Sequence, residues 1–285
     1  MGKPSPRHIF FMRLSHGAVI LLTERFRKDP VPEAENDANP LTFSFCCGMM
    51  VNDIDKEGSM VSEAKYRHEF KYYINAWDRE LLSRRLGTVM KRDPHTMADG
   101  RYVIRSLYFD NFTDTAYFEK VNGVNPRAKF RIRIYNGDDS FISLEKKVKR
   151  EELTQKLQAR ITKEEYEKIV AGDIDWMLDD GRGVVAELYA QMRGMNLRPK
   201  VLVEYTRTPF IYEPADVRVT LDCDIRTGIF SNNLFDPAPC VPTESFDVLE
   251  VKYNEFLPDI IRYLLNPICR DRQSSSKYEI CRQFG

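Results

Sequence analysis

The sequence predicts an α+β fold in which one sheet closes on itself with short helices outside. Three observations carry that expectation. Eight runs after residue 63 alternate their side chains with period two, the spacing of a strand with two unlike faces. Five segments with helical signals fall between or after them, so helices have a place on the outside of a sheet. The polar faces of the runs carry mainly Arg and Lys, with single carboxylates interspersed.

In chain order, strands are expected at 64–74, 102–110, 127–136, 140–150, 153–161, 199–212, 216–226 and 245–254. Helices are expected at 76–91, 113–121, 163–171, 183–195 and 258–266. In the first run, "RHEFK" puts Arg67, Glu69 and Lys71 on one side. "VIRSLYFD" sets Arg105 in the middle of an otherwise apolar and aromatic strand. In "KFRIRIY", Lys129, Arg131, Arg133 and Tyr135 share one face and Phe130, Ile132 and Ile134 the other. The turn signal "NGDD" follows, then a run in which Glu145, Lys147 and Lys149 alternate with Leu144, Lys146 and Val148. Thr162 with Glu165 forms a capping box that opens the third helix. "RVTLD" aligns Arg218, Thr220 and Asp222 against Val219 and Leu221, and "VLEVKY" aligns Glu250 and Lys252 against Leu249 and Val251. Pro258 suits the first turn of the last helix, and Pro267 ends it.

Residues 1–62 differ from the rest, mixing turn formers with short apolar patches and sustaining neither period. They read as a poorly patterned extension ahead of a domain at 63–285. Met60 is a candidate start, because "DKEG" just before it can be encoded with AAGGAGG, a ribosome-binding sequence. The apolar piece "HIFFMRLSHGAVILL" is broken by Arg13 and His16 and lacks the form of a signal peptide. No run approaches the ~20 apolar residues of a membrane helix. Lys+Arg and Asp+Glu both total 43 among 285 residues, which argues against a general nucleic-acid binder. The six cysteines show no zinc spacing and read as reduced thiols of a cytoplasmic protein.

An ordinary half-exposed antiparallel sheet also alternates apolar with polar, so no single strand decides what the polar faces do. The joint pattern is more demanding. If the sheet closes with helices outside, the cationic faces point inward. An empty barrel lined by ammonium and guanidinium groups repels itself; one that receives a chain of phosphates does not. Arg forks bind phosphate oxygens bidentately, and Lys supplies point charges. Glu69, Glu145 and Glu250 are then candidate ligands for Mg²⁺ or Mn²⁺, which bridges phosphate oxygens with one or two protein carboxylates. Internal salt bridges to neighbouring Arg and Lys are an equal alternative for Glu69 and Glu145 and a weaker one for Glu250, where both roles can coexist.

The stretches "YRHEFKYYI", "IRSLYFD", "KFRIRIY", "LEKKVK", "VEYTRTPF", "RVTLDCDIR", "VLEVKYN" and "SSSKY" resemble, in order, the VTC-type polyphosphate polymerase domain. That family is one of the triphosphate tunnel metalloenzymes, relatives of the CYTH proteins. The resemblance covers about residues 64–280 and implies an eight-stranded antiparallel β-barrel tunnel with flanking helices, open at both ends. By motif it implies that Lys71, Arg105, Arg131, Arg133, Lys147, Arg218 and Lys277 are the basic catalytic residues. Arg67, Lys129, Lys149 and Lys252 join them as substrate contacts, and Glu250 matches the metal-binding glutamate. One departure stands out: the first carboxylate of the ExExK signature is replaced by Arg67. The run "PKVLVEYTRTPF" offers Lys200, Glu204 and Arg207 without a clear match.

The expected activity is transfer of the γ-phosphate of ATP to a growing polyphosphate chain, dependent on Mn²⁺ or Mg²⁺. The alternatives are a tripolyphosphatase or nucleoside triphosphatase of the same fold, or a sensor that binds polyphosphate without turnover. The partners expected are ATP and polyphosphate.

Overall fold

The computed structural model describes residues 66–228, 233–236, 240–243, 246–266, 270–274 and 276–284, together with two short N-terminal strands. The chain divides into two compact units, Met1–Ser59 and Met60–Gly285. In the first, β1 (Phe11–Arg13) and β2 (Val19–Leu21) pair antiparallel. The rest of the first 62 residues, Met60 among them, lies outside the described residues, as does Cys269.

In the second unit the eight expected strands form one closed antiparallel barrel. They are β3 (Arg67–Ile74), β5 (Tyr102–Asp110), β6 (Arg127–Tyr135), β7 (Asp138–Arg150), β8 (Leu153–Ile161), β9 (Arg198–Tyr212), β10 (Val217–Gly228) and β12 (Asp247–Tyr253). Their order is β10-β12-β3-β8-β7-β6-β5-β9, and β9 pairs back onto β10 to close the ring. The short β4 (Lys91–Arg92) and β11 (Val241–Pro242) add to β9 and β10. Between β6 and β7, Asn136 and Gly137 both take positive φ, 53° and 72°. That conformation matches the strand twist and favours Asn-Gly, so the local sequence fixes the hairpin.

Most strands turn their apolar side outward, beneath helices. Leu107, Phe109, Ile132, Ile134 and Leu144 are all within 1% of full burial and pack with α3 (Lys163–Ala171) and α4 (Gly183–Gly194). Val219, Leu221, Leu249 and Val251 do the same beneath α1 (Ala76–Leu86) and α5 (Asp259–Leu265). Each such side chain contributes roughly 1.5–3 kcal/mol when buried. Two of the three hydrophobic clusters among the described residues therefore lie outside the barrel wall, which leaves the charged faces to point in.

Helix boundaries follow local chemistry. The Thr162–Glu165 capping box is formed, with Glu165 N donating to Thr162 Oγ1 at 3.1 Å and Thr162 N to Glu165 Oε2 at 2.8 Å. A second box, Asn75 with Asp78, opens α1. That helix stops at Leu86, short of the expected residue 91. Gly87 follows it, and Lys91–Arg92 leave the helix to pair with β9. The expected helix at 113–121 shortens to α2 (Thr115–Val121). A last helix, α6 (Lys277–Arg282), was not expected from periodicity. Its Tyr278 and Cys281 are buried against inward-facing Tyr108, Val201, Val203, Tyr205 and Val248, so α6 fills part of the barrel interior.

Candidate functional site

The interior cavity measures about 90 Å³ and is lined by eight cations: Lys71, Lys129, Arg131, Arg133, Lys147, Arg207, Lys252 and Lys277. Glu250 is the single carboxylate in its wall, beside Tyr108, Tyr205 and Ser276. It runs into a mouth of about 290 Å³ whose wall adds Lys120, Arg127, Lys149 and Arg272, and Lys71, Lys129, Lys147 and Ser276 line both spaces. Strand pairing explains the convergence: Lys129 lies opposite Lys147, Arg131 opposite Glu145, Glu250 opposite Lys71 and Lys252 opposite Glu69.

The cations bind resident carboxylates in three groups. Lys147 Nζ reaches both oxygens of Glu69 at 2.8 Å. Lys71 Nζ lies 3.1 Å from Glu69 and 3.6 Å from Glu250, and Lys252 Nζ lies 2.7 Å from Glu250. In the second group, Arg131 binds Glu145 at 2.6 Å and donates to the Tyr108 hydroxyl at 2.8 Å. Lys156 lies 3.4 Å from the same carboxylate. In the third, Arg207 forks onto Asp222 at 2.6 and 2.7 Å, and Lys277 Nζ adds a contact of 2.6 Å.

Burial pushes the carboxyls of Glu69, Glu145 and Glu250 up, but the cations outweigh it. Lys147 and Lys71 hold Glu69 below its ordinary value, Arg131 and Arg133 hold Glu145, and Lys252, Lys71 and Arg207 hold Glu250. All three are therefore ionised at neutral pH. Buried ion pairs recover their desolvation cost only with good geometry. The network thus sets resident carboxylates against part of a strongly basic interior.

The structure brings together Lys71, Lys129, Arg131, Arg133, Lys147, Lys252, Lys277, Glu69 and Glu250, with Glu145 behind the arginines and Lys149 at the mouth. Two expected contacts share the inner face but line neither cavity. Arg67 binds Asp216, through its carboxylate at 3.0 Å and its carbonyl at 2.6 Å. Arg218 binds Asp93 at 2.7 Å and the Tyr102 hydroxyl at 2.8 Å. Arg105 is not brought to the site. Tyr102, Ser106 and Tyr108 take the inner face of β5, which turns Arg105 outward onto Glu204 at 2.6 Å and the carbonyls of Leu234 and Asp236. Arg207, whose role the sequence left open, is the arginine that enters instead. Lys156 is a further interior residue the motif reading passed over. The alternation of Thr154, Lys156 and Gln158 in β8 carried the signal.

Among the described residues, no group of three Asp, Glu, His or Cys side chains is placed to hold a metal alone. A phosphate-bridged cation needs fewer. Glu69 at the mouth and Glu250 in the interior wall share Lys71 and Lys252 as partners, so two ionised carboxylates flank the passage between the two spaces. That pair fits Mg²⁺ or Mn²⁺ completed by phosphate oxygens. Glu145 is held apart with Arg131 and Lys156 and does not join it.

A closed antiparallel barrel with an inward cationic lining is a tunnel fold. The VTC domain family model matches residues 66–284, and the chain belongs to that family. No protein with a curated description matches the sequence. Solved structures with a similar fold include one from Hippeastrum, named as a candidate adenylyl cyclase and described by a dominant triphosphatase activity. It is 16% identical, with 77% of this chain and 96% of that one covered and a TM-score of 0.48. A protein from Pyrococcus horikoshii OT3 is 14% identical over 77% of this chain and 99% of its own, with a TM-score of 0.42. A candidate adenylate cyclase from Bacillus halodurans is 11% identical over 74% and 94%, also at 0.42. No helix among the described residues is long and apolar enough to cross a membrane.

Proposed function

We propose that this protein is a polyphosphate polymerase that transfers the γ-phosphate of ATP to a growing polyphosphate chain inside the barrel. One observation carries the reading: eight cations and a single carboxylate line a closed, narrow interior. Such a wall matches an extended polyanion and leaves no room for a bulky apolar substrate.

The chain's terminal phosphate oxygen attacks the γ-phosphorus, a new P–O–P bond forms, and the bond to the β–γ bridging oxygen breaks as ADP leaves. The transition state spreads charge over peripheral oxygens, so positioning and cation contacts do most of the catalysis. Arg131, Arg133, Arg207, Lys71 and Lys277 supply those contacts from fixed strands and from α6. Arg218 and Arg67 extend the basic lining toward the barrel end. Glu250 and Glu69 would hold a divalent cation, which neutralises phosphate oxygens when bound. The nucleophile is already ionised, so no general base is required. Hydrolysis instead needs an oriented water, and the first carboxylate of the ExExK pattern, which could place one, is Arg67 in this chain.

The test is incubation with ATP and Mn²⁺ followed by product analysis. ADP with long phosphate chains is the expected result. Orthophosphate alone means a triphosphatase, and tight tripolyphosphate binding without turnover means a sensor; either outcome overturns the polymerase reading.

A further inference from the structure

Every interior cation of the three groups above has a resident acidic partner, and Lys129 does not. Its Nζ is buried and makes no hydrogen bond, and it is the only lysine nitrogen among the described residues of which both are true. It lies where the mouth passes into the interior and lines both spaces. The face of the Tyr278 ring is 4.3 Å from it. That ring cannot move freely, because its hydroxyl donates to the buried Asp110 carboxylate, which also accepts from the backbone N–H groups of Ala116 and Tyr117 at the start of α2.

We propose that Lys129 is the entry contact at this junction: it is the first buried cation to bind an entering phosphate, and it takes up a proton from solvent as it does so. The inference rests on the phosphate-chain reading of the barrel. Lys71, Lys147 and Arg131 must each release a carboxylate before they can turn fully to an incoming phosphate. Lys129 releases nothing. Its π-face contact is compatible with a phosphate on the opposite side, since a ring face offers no acceptor that the ligand must displace.

The charge state follows from the surroundings. Burial pushes the Lys129 amine down, to about 7, helped by Lys120 on α2 and Arg127 on its own strand. Glu279 on α6 and Asp110 on β5 pull the other way. Lys147 faces it across the β6–β7 pair, and Glu119 on α2 also senses its charge. A bound phosphate adds negative charge beside Nζ and raises its proton affinity. Below pH about 7 the amine is already protonated and no proton is taken up. Above it, each binding event must draw one in, so affinity falls by up to about tenfold per pH unit until the bound-state value is reached.

The experiment is calorimetric titration of the full chain with sodium tripolyphosphate, metal-free, between pH 6 and 9 in buffers of different ionisation enthalpy. Lys129→Arg keeps a positive charge that does not titrate, and Lys129→Met removes it. At pH 8 the wild type should take up more protons than Lys129→Arg, by a fraction approaching one. The arginine variant should bind comparably at pH 6 and several-fold more tightly than the wild type at pH 9. Lys129→Met should bind at least tenfold more weakly at pH 6. Equal proton uptake in the wild type and Lys129→Arg overturns the proposal, as does undiminished binding by a folded Lys129→Met protein. Either of those leaves the phosphate-chain reading standing. A wild-type protein that binds no tripolyphosphate overturns both.

Discussion

Arg105 and Arg133 sit on neighbouring strands, β5 and β6, yet face opposite sides of one wall. Arg133 is 6% exposed inside the barrel and reaches Ser106 and the Tyr205 hydroxyl, whereas Arg105 closes an outer ion pair with Glu204. Losing a charge-assisted contact to phosphate costs roughly 1.5–3 kcal/mol, about ten- to a hundredfold in rate. Arg133→Gln should therefore lower kcat/KM for ATP by at least tenfold. Arg105→Gln should change it by less than about twofold, with any loss appearing in the melting temperature. Equal kinetic losses in both would mean that Arg105 reaches the substrate after all.

Glu250 invites a second substitution at this scale. Glu250→Gln is nearly isosteric and removes the charge that a hard divalent cation needs. Metal-dependent turnover should collapse, while metal-free tripolyphosphate binding survives or tightens, because Lys252, Lys71 and Arg207 lose a resident competitor. Turnover at the wild-type rate would leave Glu250 as a salt-bridge partner only and move any metal role to Glu69.

Among the elements, the strands were legible because a barrel with helices outside and a charged interior imposes alternation on most strands. Residue parity was less legible. In "VIRSLYFD" both faces are largely apolar or aromatic, so the motif suggested Arg105 as an interior residue although its parity matches Leu107 and Phe109. The helix α6 is six residues long and has no room to display a period. Only the resemblance of "SSSKY" pointed to Lys277.

The ring has one weak joint. β3 pairs with β12 over seven positions but with β8 over only two, Arg67 with Thr154 and His68 with Leu153. Farther along, Gln273 N donates to the Lys71 carbonyl at 2.8 Å and Arg272 bridges Tyr72, so the C-terminal segment replaces the missing neighbour. Opening free energies vary within one fold according to such local support. The β3 amides that face β8 should exchange with solvent at least tenfold faster than those of the β6–β7 ladder. Added tripolyphosphate should slow them, since Glu69 and Lys71 of β3 line the mouth there. Uniform protection around the ring would show that the joint is as firm as the rest.

For the whole molecule, formal neutrality conceals a local sorting of charge: acids and bases are equal in number, yet eight bases and one acid line the interior cavity, with a few more acids buried behind them. That sorting sets the response to acid. Glu69, Glu145, Glu250 and Asp222 are all held below their ordinary values in the folded chain. A carboxyl depressed on folding stabilises the fold above its unfolded value, about 4, and that contribution is lost as pH falls toward the folded value. Protonation would also leave Arg131, Arg207 and Lys71 buried without counter-charge. Thermal stability should therefore keep this contribution from pH 7 to about 5 and shed it steeply below about pH 4. An Arg131→Met/Glu145→Met double variant removes one depressed carboxyl together with its main partner, so its acid limb should be shallower than that of the wild type. Melting temperatures across pH 2.5–7 for the two proteins decide the matter. Parallel acid limbs would mean that Glu145 titrates at its ordinary value and that the interior network does not govern acid unfolding.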